Sequence, residues 1–402
     1  MGEGRGSMGR LAKIENSRDL FSGIYDGKRV LVTGHTGFKG SWLSLWLHQL
    51  GAEVAGFSKY YPSDPCHFEV IGLKNHVRHC EGDICDFNSL KKVFNDFKPQ
   101  IVFHLAAQPI VRESYNEPKL TFDTNLGGTV NLLECLKQSS SVEAAVMITS
   151  DKCYENVGWD WGYRETDRLG GEDPYSASKA CAEIAFQSYF KSFFDQNENA
   201  PSIATARAGN VIGGGDWAKD RIIPDCMRAW SRGEVAMIRS PEATRPWQHV
   251  LEPLSGYLWL GACLLNHRRG IDPWAVDSIH GQSFNFGPDS TIVQSVREVV
   301  KALLKYWPAS NWKEVMGEPN KKEASLLKLS CDKAFRRLSW QPVLGFDETI
   351  SLTAEWYKQY YLNPQQSYER TCLNIDQYVD YACEKGLLWT AARIGKKENI
   401  LK

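Results

Sequence analysis

Nowhere does the chain stay apolar for the ~20 residues that a membrane-spanning helix requires, and residues 1–10 lack the apolar centre of a secretory leader. Charge of one sign is not in excess: 47 Lys and Arg against 48 Asp and Glu leave a net −1. No global field therefore draws the protein to nucleic acid or an anionic bilayer, and any anionic ligand must be held locally. No C-x-x-C occurs, and the 11 cysteines are irregularly spaced, several in apolar runs. That speaks against a disulfide framework and for a reducing, cytoplasmic compartment. Cys66, His67, His76, His79, Cys80 and Cys85 crowd together, yet their spacings match no common zinc pattern, so no metal is expected. There is no internal repeat and no low-complexity tract.

What remains is a soluble chain of 402 residues, 43% hydrophobic, long enough for two domains with a sizeable core. The opening Met1-Gly2-Glu3-Gly4-Arg5-Gly6-Ser7-Met8 reads as an expression remnant before a native methionine. Residues 1–25 are set aside as this remnant and an N-terminal extension. From there to residue 210, short β-branched runs (Val30-Leu31-Val32, Glu53 to Phe57, Ile101 to Leu105, Ala145 to Ile148, Ile203 to Ala206) alternate with helical stretches. Continuous apolar strands separated by helices predict an α/β, doubly wound parallel sheet covered on both faces. The first helix, with Trp42, Leu43, Leu45, Trp46, Leu47 and Leu50, presents a broad apolar face to that sheet. Residues 211–365 loosen into Gly-, Pro- and Trp-rich segments, predicting a smaller lobe over the sheet's carboxyl edge with some return to the main sheet. Residues 366–402 read as a polar helical tail.

The first strand runs into Gly34-His35-Thr36-Gly37-Phe38-Lys39-Gly40 and then a helix. Glycines at such a turn let the backbone approach a pyrophosphate, which faces the free N–H groups of the helix start. A nicotinamide dinucleotide is expected there; the acidic residue that would grip a ribose 2′-hydroxyl after the second strand, and so select NAD, is missing, and Lys59 after Ser58 could favour a 2′-phosphate, so NADP stays open beside NAD. Further on, Thr149-Ser150-Asp151-Lys152 ends a strand, and Pro174 opens a helix carrying Tyr175 and Lys179 on one face. At this i, i+4 spacing a lysine cation is expected to lower the phenol below its usual ~10 and make it a base, with Ser150 donating to a substrate oxygen. Asp151 and Lys152 could instead be an ion pair capping the strand end.

These residues, with Gly82-Asp83-Ile84, His104-Leu105-Ala106-Ala107-Gln108 and Asn125 in T-N-L-G-G-T, resemble the extended short-chain dehydrogenase (NAD-dependent epimerase/dehydratase) family over most of the chain. The resemblance implies a Rossmann-type NAD-binding domain over 26–210 and a sugar-nucleotide lobe mainly over 211–365. It places Asp83 and Ile84 by the adenine, Leu105, Ala106, Ala107, Gln108, Asn125 and Thr149 along the cofactor, and Lys179 on the nicotinamide ribose. Members that catalyse 4,6-dehydration carry an acidic residue after the serine position, usually as Asp-Glu; this chain has Asp151-Lys152. That departure, with the string Gly34 to Trp42 and Gly209-Asn210-Val211-Ile212-Gly213-Gly214-Gly215-Asp216-Trp217, is similar to the branch acting on CDP-glucose, which makes deoxysugars for surface polysaccharide such as O-antigen. Implied substrate contacts are Gln108, Arg112, Asn210, Arg221, Arg245 on the pyrophosphate, and His249; Asn285-Phe286-Gly287-Pro288 resembles a late strand closing the substrate lobe. A homodimer or homotetramer is implied. A 4-epimerase would use the same Tyr175 but give Asp151 no task, and a cofactor-sensing protein without chemistry would not need the trio Ser150, Tyr175 and Lys179.

Overall fold

The computed structural model describes residues 17–219, 221–270, 278–289, 291–315 and 327–391; the expected remnant at 1–8 and the end of the expected tail at 392–402 lie outside them. Seven parallel strands form the central sheet: β1 (Arg29–Thr33), β2 (Glu53–Ser58), β3 (Arg78–Glu81), β4 (Ile101–His104), β5 (Ala144–Ile148), β6 (Ser202–Ala208) and, late in the chain, β11 (Ser283–Phe286). Their order is β11-β6-β5-β4-β1-β2-β3. The chain reverses its direction of travel between β1 and β4, the crevice where ligands bind in doubly wound sheets. β1, β4, β5 and β6 are buried almost throughout, which explains their unbroken apolar runs.

Three two-stranded ribbons carry the rest: β7 (Val211–Ile212) with β10 (Gln248–His249), β8 (Ala236–Ile238) with β13 (Trp312–Glu314), and β9 (Thr244–Arg245) with β12 (Gln294–Ser295). The segment Asn285 to Pro288, expected to close the substrate lobe, begins inside β11 instead. Parallel pairing with β6 and complete burial make it the edge of the main sheet.

Six helices matter for the site: α1 (Phe38–Gln49), α2 (Pro174–Tyr189), α3 (Ile222–Ser231), α4 (Leu251–Arg268), α5 (Phe346–Leu362) and α6 (Ser367–Glu384). The first is buried over Gly40 to Leu47, not on one face only. Trp42 stacks on His67 with ring centroids 5.0 Å apart and donates from Nε1 to Gly214 O, 3.0 Å; Trp46 meets Phe21, Tyr378 and Trp389 edge-on. Helix α6 therefore completes the core around α1, burying Thr371, Asn374, Ile375, Tyr378, Val379 and Ala382. All 11 cysteines are free thiols. Among the described residues no helix is long and apolar enough to cross a membrane.

Candidate active site

The turn after β1 is built by backbone geometry. Gly34 has φ +76°, and a Cβ there would stand 2.7 Å from the Ala106 nitrogen; one on Gly40 would stand 2.1 Å from the Gly34 oxygen. The turn thus lies against the end of β4 and leads the start of α1 into a cavity of about 630 Å³, within the ~300–1,000 Å³ of ligand sites. The Gly37 side of the turn and the unpaired N–H groups of α1 make a cradle that suits a dinucleotide diphosphate.

Along the cavity wall stand Gly34, Thr36, Gly37, Phe38, Lys39 and Gly40, then Ser58 and Lys59, Asp83 and Ile84, and Leu105 to Gln108. His35, between them in sequence, turns away. It is buried, with Nδ1 2.9 Å from Ser58 Oγ and Nε2 2.8 Å from His79 Nδ1, and burial lowers it to about 3. Lys59, which could have favoured a 2′-phosphate, is tied 2.8 Å from Asp83 Oδ2. Asn125 does not reach the lining either: its Oδ1 accepts from the Gln108 backbone at 2.8 Å and its Nδ2 donates to Ser178 Oγ at 2.9 Å. Gln108 lines the cavity, but its amide donates to Ile110 O and Thr121 Oγ1 and accepts from Ile110 N.

Thr149, Ser150, Asp151 and Lys152 leave β5 into the same cavity, facing Tyr175 and Lys179 from α2. Pro174 at the first turn and Asp173, accepting from Ser176 N at 2.9 Å, start that helix. The Ser150 hydroxyl donates to Asp151 Oδ1 at 2.9 Å and adjoins the Tyr175 phenol, whose pKa it pulls down. Burial pushes Tyr175 up to about 12, the Ser150 bond pulling the other way, and burial pulls Lys179 down to about 8. The expectation that Lys179 lowers the phenol is thereby corrected: burial sets the direction, and the groups that pull the other way are the Ser150 hydroxyl and Arg221, not Lys179. Behind this face Glu183 and Arg207 form a buried pair, 2.7 Å apart, that also takes Thr149, Thr205 and Ser283.

Of the expected substrate contacts, Arg112, Asn210, Arg221 and Arg245 line the cavity. Arg221 is paired with Asp216 at 2.7 Å. His249 is not brought there: on buried β10 it packs edge-on to Trp42, and burial lowers it to about 3. Lys219, Arg239 and Ser240 also face the cavity and were not anticipated; lone polar residues in a Gly- and Pro-rich stretch carry no distinguishing signal. Of the crowded Cys and His residues, His67 is held by Ser41 at 2.8 Å and Thr371 at 3.3 Å, and among the described residues no group of side chains could hold a metal ion.

A glycine turn at the start of a parallel sheet, facing Ser, Tyr and Lys across one crevice, defines an enzyme of the dinucleotide-binding dehydrogenase class. The profile of the family described as GDP-mannose 4,6 dehydratase matches residues 31–259, and the chain belongs to that family. It is 46% identical over 338 residues, 83% of this chain and 92% of the relative, to CDP-glucose 4,6-dehydratase of Salmonella typhimurium. To the dTDP-D-glucose 4,6-dehydratase of Homo sapiens it is 25% identical over 349 residues, 84% and 91% of the two chains. Among solved structures, an epimerase of Methanothermobacter thermautotrophicus superposes with TM-score 0.71 at 24% identity, covering 88% of this chain and 97% of the other. The dTDP-glucose 4,6-dehydratase of Bacillus anthracis, solved in complex with NAD, superposes with TM-score 0.65 at 22% identity, covering 83% and 97%. Both likenesses bear on the fold.

Proposed function

We propose that this chain converts CDP-D-glucose to CDP-4-dehydro-6-deoxy-D-glucose and water, using NAD. The carrying observation is the 46% identity to the Salmonella dehydratase across nearly that enzyme's whole length, combined with Asp151 and Lys152 beside Ser150 and Tyr175 in one cavity. NAD, which is bound by a solved relative, would be held by the glycine turn, Ser58, Asp83, Ile84, Ala106 and Lys179. Its chemistry is to accept the C4 hydride and later give it back at C6.

The residues then have proton work only. As the hydride leaves, Tyr175 takes the proton of the C4 hydroxyl and hands its own phenolic proton by way of Ser150 to Asp151, and the resulting ketone acidifies C5–H. Lys152, as the neutral amine, removes the C5 proton while Asp151 protonates the departing C6 hydroxyl, which leaves as water. After the hydride reaches C6, the Lys152 ammonium returns its proton to C5. Asp151 has by then spent on the departing water the proton it received by way of Ser150, to which it is bonded at 2.9 Å, and Tyr175 is again a phenol, so the site is reset. Arg245 and Arg221 supply cations for the substrate diphosphate. Asp151 is the residue that favours dehydration over 4-epimerisation, which leaves the C6 hydroxyl in place and gives such an acid no task.

Incubation of the purified chain with NAD and CDP-glucose, UDP-glucose, dTDP-glucose or GDP-mannose, followed by mass spectrometry, tests the proposal. Loss of one water from CDP-glucose alone is expected. Loss from another nucleotide sugar instead overturns the cytidine assignment, and unchanged mass throughout overturns the reaction.

A further inference from the structure

Glu183 lies on α2 eight residues past Tyr175 and four past Lys179, so that the three share one helix face. Its side chain is 0% exposed. Burial favours the neutral form of such a carboxyl, yet Arg207 and the Thr149 and Thr205 hydroxyls hold it below its ordinary value. Its Oε2 accepts from Arg207 Nη2 at 2.7 Å, Thr205 Oγ1 at 3.0 Å and Ser283 Oγ at 3.1 Å, which ties the helix to β6 and β11. A buried ion pair by itself is weak evidence of a stabilising role, since apolar packing serves as well. The other oxygen points to a different one: Oε1 accepts from Thr149 Oγ1, just past the end of β5. The Thr149 backbone N–H donates to Ala206 O at 2.9 Å, so the sheet and the helix both hold this residue. Ser150 follows it on extended backbone, φ −165° and ψ 157°, and Asp151 comes next. The helix with Tyr175 and Lys179 and the strand end with Ser150 and Asp151 are thus joined by the bond between Thr149 and Glu183.

We propose that Glu183 is a positioning residue for the reaction above: through Thr149 it sets where Ser150 and Asp151 stand relative to Tyr175 and Lys179. The inference rests on that functional reading, in which a proton passes from the phenol to the carboxylate while the C4 and C6 oxygens of one sugar lie against them. A misplacement of about 1 Å among such groups costs up to about 10²-fold in rate. The loss falls on kcat and spares KM, because it is the transition state that needs the alignment.

Replacing Glu183 would also strip Arg207 of its buried partner, so the test is made at Thr149. Thr149→Val removes the hydroxyl that Glu183 takes and leaves the Glu183–Arg207 pair, and Thr149→Ser gives the hydroxyl back. Water loss from CDP-glucose in the presence of NAD is measured for wild type and both variants, well below their melting temperatures. The expected result is a kcat roughly 10- to 100-fold lower in Thr149→Val, with KM for CDP-glucose and Kd for NAD within about twofold of wild type, and recovery to within a few-fold in Thr149→Ser. If Thr149→Val fails to fold, Thr149→Ala gives the same comparison. A lower melting temperature with kcat unchanged shows a structural bond only and overturns the proposal. So does a loss that Thr149→Ser leaves unrepaired, or one carried by weaker NAD binding. A wild-type chain that releases no water from CDP-glucose overturns the functional reading, and this inference with it, so the two failures are distinguishable.

Discussion

Glu252 on α4 is a buried carboxyl, 1% exposed, that does not line the candidate site. Its oxygens accept from Val343 N at 3.0 Å, Leu344 N at 2.5 Å and Tyr378 Oη at 2.9 Å. Tyr378 sits 2.9 Å from Ser255 Oγ, which also takes the indole N–H of Trp340 at 2.9 Å. Burial pushes Glu252 from its ordinary 4.5 up to about 7, against the pull of these donors. A carboxyl bound more tightly to its proton in the folded chain contributes stability that is complete below the unfolded-state value and is lost as pH rises through about 7. The interval from 4.5 to about 7, at about 1.36 kcal/mol per pH unit, is about 3 kcal/mol. Glu252→Gln cannot titrate, and its amide leaves one acceptor fewer for the two backbone N–H groups, a loss of about 1–3 kcal/mol. Urea unfolding, followed by tryptophan fluorescence at about pH 5, 7 and 8.5, should find the variant less stable at the acid end. That deficit should shrink by about 3 kcal/mol, vanishing or reversing at the alkaline end. Taking the difference between the two chains cancels the titration of every other group. Parallel stability curves for the two chains would refute the reasoning.

Tyr175→Phe removes the phenol joined to Ser150 and should slow water loss from CDP-glucose by roughly 10²–10⁴; a rate within a few-fold of wild type, read by mass spectrometry, sinks the assignment. Glu183→Gln strips the carboxylate from Arg207 where the two side chains are 0% and 3% exposed. Removing one partner of such a pair should cost about 3–5 kcal/mol, seen as a lower melting temperature. Asp83→Asn frees Lys59, which is half exposed, so NADP affinity should rise only a few-fold relative to NAD, in line with the modest worth of a surface pair. An unchanged ratio of the two dissociation constants contradicts that role for Lys59.

The strands and the glycine turn were legible because both depend on local pattern: an apolar run, a break, then glycines at the helix start. Tyr175, Lys179 and Ser150 were legible for the same reason, since a helix face and a strand end fix them relative to near neighbours. Direction was harder to read. His35, Asn125 and His249 have the residue types that a binding site uses, yet each turns away from the cavity because a partner distant in the chain takes its side chain: His79 for His35, Ser178 for Asn125, Trp42 for His249. The tail misled in a similar way. Its composition is polar, but Ile375, Tyr378, Val379 and Ala382 at helical spacing bury one side of α6, and Tyr378 meets Trp46 on α1 and Glu252 on α4, more than a hundred residues earlier.

Tyr175 shows where such reading stops. Spacing puts a lysine one turn away and so predicts an acidified phenol; burial, which depends on the entire cavity wall, raises it to about 12 instead. An active base then requires something that the spacing does not supply. The Ser150 hydroxyl already lowers the phenol's pKa, and it connects Tyr175 to Asp151. On this geometry the phenol need not ionise on its own: it can give its proton to Ser150 and Asp151 as the C4 hydroxyl delivers another, so the acidity that matters belongs to the three groups together. Ser150→Ala should therefore impair C4 oxidation and water expulsion alike, whereas a serine that only orients the substrate would affect the first step alone. Deuterium at C4 separates the cases. An isotope effect on water loss that grows in Ser150→Ala, as oxidation alone becomes limiting, would count against the shared proton path.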